Sequence, residues 1–124
     1  MPSSHRSPSP EVAALRAAAE GACGQLRDQT REQARLIRSG SAGELTEADV
    51  QSMAEGITAA ARARLDAAAP PGQSPPADPE LQATRRDVAM LVAAAGRVAD
   101  AELRKAWRAQ HEPAAGRRWW SRSR

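Results

Sequence analysis

With 124 residues, one cysteine and a net charge of +3, the chain has room for one domain and no internal disulfide, as suits a reducing cytosol. Alanine dominates its hydrophobic content with 29 residues, and Phe and Tyr are absent. Residues 113–124 hold four arginines and no acid, which leaves the preceding residues near −1; that balance argues against a folded face built as a broad nucleic-acid platform.

The first nine residues, "MPSSHRSPS", combine Ser, Pro and basic residues without an apolar stretch. They read as a disordered segment rather than a signal peptide. "SPEV" then opens a helix expected over 10–38, with Ser9 as the cap and Pro10 at the first helical position. Val12, Leu15, Ala19, Ala22 and Leu26 recur at steps of three and four and define one face, which resumes at Leu36 and Ile37. Gln29 and Gln33 read as polar interruptions of that face, the mark of a helix running past its partners or of a register-setting polar layer. "SGSAG" ends the helix.

A second helix is expected over 47–69. In "LTEADV", Thr46 caps the helix and Asp49 stands three residues on, while Leu45 and Val50 form a hydrophobic staple. Its stripe is Val50, Met53, Ile57, Ala61, Leu65 and Ala68. Five prolines between Pro70 and Pro79 stop it, and the "PPADP" within them has the bare spacing of a polyproline ligand, a pattern common in such linkers.

Asp78 and Pro79 start a third helix, expected over 79–111. Its stripe runs Leu81, Thr84, Val88, Val92, Ala95, Ala99, Leu103, Ala106 and Gln110, with Leu91, Val98 and Trp107 alongside. Steps of 3, 4, 4 keep such a stripe almost straight along the helix. Asp100 with Arg104 and Glu102 with Lys105 are spaced for ion pairs on its outer side. No segment alternates like a strand. The fold class is therefore all-α: three long helices in an antiparallel bundle, or a hairpin with a third helix that folds back on it. The bundle is assigned to 10–112, between disordered termini.

Catalysis and cofactor binding find no support. The two histidines, His5 and His111, lie at opposite ends of the chain, whereas zinc needs three or four converging ligands. No Glu-x-x-His pair offers a di-iron site, and Cys23 has no histidine on its own helix to act as a base. The "SGSAGEL" turn lacks the phosphate-loop lysine, and Glu44, Glu47 and Asp49 would repel an anion there. Cys23 reads as a small apolar filler. Gly21, Gly24, Gly56 and Gly96 sit near helix midpoints, fitting either close packing or a gap in the bundle.

The expected function is thus a non-enzymatic helical interaction protein, an adaptor, scaffold or regulatory subunit, without metal or cofactor. About seventeen Leu, Val, Ile and Met side chains and Trp107 make a thin core, which favours association with another chain or with itself as a homo-oligomer. The association face expected for this role comprises Val12, Leu15, Leu26, Val50, Met53, Ile57, Leu65, Leu81, Val88, Val92, Leu103 and Trp107. The closing "GRRWWSRSR" supplies Arg117, Arg118, Trp119, Trp120, Arg122 and Arg124 as a secondary contact. Arginines with indoles suit a protein groove, nucleic acid, or anionic lipid. The alternatives are therefore a nucleic-acid accessory protein and a peripheral membrane protein anchored by this tail. The expected location is the cytoplasm of a bacterium with a GC-rich genome, given seventeen arginines to one lysine, or peripherally at its membrane. "VAMLVAAAGRVA" is too short to span a bilayer and contains Arg97.

Overall fold

A computed structural model describes residues 10–68 and 79–111. They form three α-helices, α1 (Pro10–Ser39), α2 (Glu47–Ala68) and α3 (Pro79–His111), and no strand occurs among the described residues. Each boundary falls within one residue of its expected place. The expectations for residues 1–9, for the proline linker with its Asp78 cap, and for residues 113–124 lie outside the described residues.

Local chemistry accounts for the ends. The α1 terminus turns through Gly40 and Gly43, both at left-handed φ near 80°, where a side chain would clash with its own backbone. Gly40 N–H donates to the Ile37 carbonyl and Ala42 N–H to that of Leu36, satisfying carbonyls that the helix leaves free. At the start of α2 the capping box closes in both directions. Asp49 N–H donates to Thr46 Oγ1 at 3.1 Å, and Thr46 N–H donates to Asp49 Oδ2 at 2.9 Å.

The helices run up, down, up. Arg64 of α2 donates to Gln25 of α1, and Arg104 of α3 reaches Glu47 of α2, so each neighbour in sequence is antiparallel. Helices α1 and α3 are consequently parallel, and theirs is the most extensive of the three pairings. The third helix therefore folds back fully onto the hairpin.

One residue per turn from each helix fills the interior. The buried positions of α1 are Val12, Leu15, Ala19, Ala22, Leu26, Thr30, Ala34 and Ile37. This corrects the reading of α1: the stripe continues through Thr30 and Ala34, while Gln29 is exposed and Gln33 half-buried. Burying Thr30 is inexpensive because its Oγ1 donates to the Leu26 carbonyl at 2.7 Å. The α2 row is Val50, Ala54, Ile57, Ala61 and Leu65, so Ala54 takes the place expected for Met53, which is half-buried, and Ala68 is exposed. In α3 the row passes through Gly96. The largest fully buried side chains are Leu26, Leu103, Val12, Val50 and Val92. Each contributes roughly 1.5–3 kcal/mol. Small residues instead leave room for neighbouring side chains: a Cβ added at Gly96 would stand 2.7 Å from Thr58 Cγ2.

Candidate interaction surface

The twelve residues expected to form an association face all point into the chain's own bundle. Val12, Leu15, Leu26, Val50, Ile57, Leu65, Val88, Val92 and Leu103 are buried. Met53, Leu81 and Trp107 are half-buried and pack against the same core. These stripes satisfy one another within a single molecule, so a surface for a second chain has to be built from other residues.

The structure offers such residues on α3. Its large exposed hydrophobic side chains are Met90, Leu91 and Val98, at 70%, 57% and 61% of full exposure. Leu91 and Val98 are two turns apart and so lie in line, with Ala94 and Ala95 between them, both half-buried. Periodicity placed Leu91 and Val98 beside the main stripe; the missing information was that α1 and α2 together cover only one arc of α3. Both side chains border a shallow groove along the parallel α1/α3 pair. At one end Leu91 is joined by Cys23, Thr84 and Asp87. At the other, Val98 is joined by Thr30, Ala34 and Glu102.

The charges on this face are sorted by helix. Arg16, Arg27, Arg31 and Arg38 border the groove from α1, with Glu20 as their one acid, whereas Asp87 and Glu102 border it from α3. None of these seven takes part in an intrachain ion pair among the described residues. The α2/α3 face behaves differently. Its Arg104 donates to Asp100 at 2.9 Å and to Glu47 at 2.7 Å, while Glu55, Asp66, Arg62 and Arg97 line the same face without an ion pair among the described residues. The Asp100–Arg104 contact is the one expected from spacing; the Glu102–Lys105 contact does not form.

The α1/α2 groove carries Asp28, Glu32, Gln29 and Gln33 above Met53 and Ile57. Glu32 is already engaged by Arg35, which donates to it at 2.6 and 3.0 Å. That hydrogen bond holds the Glu32 carboxyl below the ordinary carboxylate range and raises the Arg35 guanidinium further.

The pole where α3 ends is tied down. Trp107 Nε1 donates to the Leu45 carbonyl at 2.7 Å, linking α3 to the α1–α2 connection. The His111 ring lies 4.3 Å from the Trp107 ring, and its Nδ1 is 3.0 Å from the Trp107 carbonyl. A carbonyl oxygen only accepts, so Nδ1 carries the proton there.

Cys23 is half-buried and packs against the core from the α1/α3 groove. Among the described residues, no group of three or more His, Cys, Asp or Glu side chains is placed to hold a metal ion. No described helix is long and apolar enough to cross a membrane. The tail residues Arg117, Arg118, Trp119, Trp120, Arg122 and Arg124 lie outside the described residues. No family model, curated protein or solved structure matches the chain.

Proposed function

We propose that this chain is a helical protein-interaction module, an adaptor, scaffold or regulatory subunit, that binds through the α1/α3 face. The observation that carries this reading is the exposed pair Leu91 and Val98, in line on α3 along the α1/α3 groove, on a bundle whose Leu, Val and Ile stripes are turned inward. Water-exposed apolar side chains aligned on one helix cost solubility, and docking a partner removes that cost. The tail "GRRWWSRSR" supplies a secondary contact in this scheme. Its four guanidinium groups meet anionic or protein surfaces, and its indoles add a stacking or anchoring element.

A photo-crosslinking amino acid placed at Ala94 in the living source cell tests the reading. It is expected to trap one defined polypeptide, whereas the same group at Ala59 on the exposed side of α2 traps none. Equal labelling from both positions, or none from Ala94, would refute it.

A further inference from the structure

We infer that the occupant of the α1/α3 face is a second copy of this chain, related by a two-fold axis running along the bundle. The inference rests on the interaction reading above and names its partner. Because α1 and α3 are parallel, such an axis lays α1 of each copy over α3 of the other while keeping every residue at its own height. The face is electrically divided in the sense this requires: four arginines and the one acid Glu20 border it from α1, and two carboxylates from α3. Arg31 and Arg38 then meet Glu102 of the other copy, and Arg16 meets Asp87. An antiparallel pairing would instead put α3 on α3, bringing Asp87 against Glu102 and leaving the arginine rows facing each other.

Shape supports the same arrangement. Leu91 borders the groove at the height of Cys23. Next to Cys23, Gly24 leaves open space, since a Cβ added there would touch nothing within 4 Å. Under this axis, Leu91 of one copy packs over the Cys23–Gly24 stretch of the other. Residues 16–38 span about 33 Å and two adjacent helices about 20 Å, so two copies bury on the order of 1,300 Å², within the range of stable dimers. Unlike Arg104 on the α2/α3 face, these groove charges have no ion-pair partner among the described residues.

Light scattering on the full chain is expected to give twice 13.2 kDa at about 100 μM, and the single mass for Leu91→Asp/Val98→Asp, with the helical circular dichroism unchanged. Leu91→Ala/Val98→Ala, a milder pair, is expected to weaken self-association about tenfold or more. The orientation is read by charge exchange. Glu102→Arg alone and Arg31→Glu/Arg38→Glu alone each weaken self-association about tenfold, and mixing the two restores a mixed dimer. A wild-type monomer at that concentration, indifference to the Leu91 and Val98 changes, or no recovery on mixing overturns the inference. If Ala94 crosslinks only to a different polypeptide, the dimer is refuted while the interaction module stands.

Discussion

Replacing Gly96 by alanine should destabilise the bundle, against the usual effect of that change in a helix. Alanine in place of a mid-helix glycine normally stabilises by roughly 0.5–1 kcal/mol. At position 96 the new methyl would stand 2.7 Å from Thr58 Cγ2 and 2.8 Å from Thr58 Oγ1, well inside van der Waals contact. Thr58 is not free to swing aside, because its Oγ1 donates to the Ala54 carbonyl at 2.8 Å and its branched Cβ leaves few rotamers. Overpacking of this kind costs about 1–3 kcal/mol, so the net expectation is a loss of about 1–2 kcal/mol. For a domain of this size that lowers Tm by roughly 5–15 °C. Urea unfolding followed by helical circular dichroism measures it, with the midpoint moving and the slope constant. The control is Gly56→Ala, where the added Cβ meets nothing within 4 Å and a gain of about 0.5–1 kcal/mol is expected. Thr58→Ala combined with Gly96→Ala should recover about 1–2 kcal/mol of the loss as a coupling term. A Gly96→Ala chain as stable as wild type, or no coupling to Thr58, would show that α2 and α3 do not meet at that height.

Three further outcomes follow from contacts at the ends of the helices. Thr46→Ala removes the acceptor for Asp49 N–H and should cost about 1 kcal/mol in the same unfolding assay, with Thr46→Ser nearly neutral. Trp107→Phe keeps most of the ring but loses the bond to the Leu45 carbonyl; a loss of about 1 kcal/mol is expected, with faster amide exchange in the α1–α2 connection. The Glu32 carboxyl is lowered by its Arg35 hydrogen bond. What the pair contributes is complete above the unfolded carboxylate value and disappears as pH falls through the lower folded one. An NMR titration should place the Glu32 midpoint below 4.5 and return it toward that value in Arg35→Gln.

The helices were legible because their boundaries depend on local chemistry. Thr46 with Asp49, Pro79, and the glycines after Ser39 act within a few residues, and each lies where its motif placed it. The inward faces were mostly legible from three-and-four spacing. They failed where size misled: Thr30, Ala34 and Ala54 are small or polar in sequence, yet they hold buried positions because small side chains permit close helix approach, while Met53 takes the margin. The meaning of the stripes was the larger miss. Leu26 or Val92 announces a buried side chain, but periodicity does not say whether its neighbour belongs to the same molecule. That depends on how α3 is laid against the hairpin, which the proline linker leaves open. The same unknown hid the exposure of Leu91 and Val98, since an arc of α3 becomes surface only after its other arc has been claimed.

An odd number of antiparallel passes has a mechanical outcome. Pro10 stands at one pole and His111 at the other, about a full helix length of roughly 50 Å away. A pinned strut rather than a slack tether thereby separates the start of α1 from the end of α3. A two-pass or four-pass hairpin of the same composition would have brought both points to one side, so the count of helices sets the spacing between Pro10 and His111.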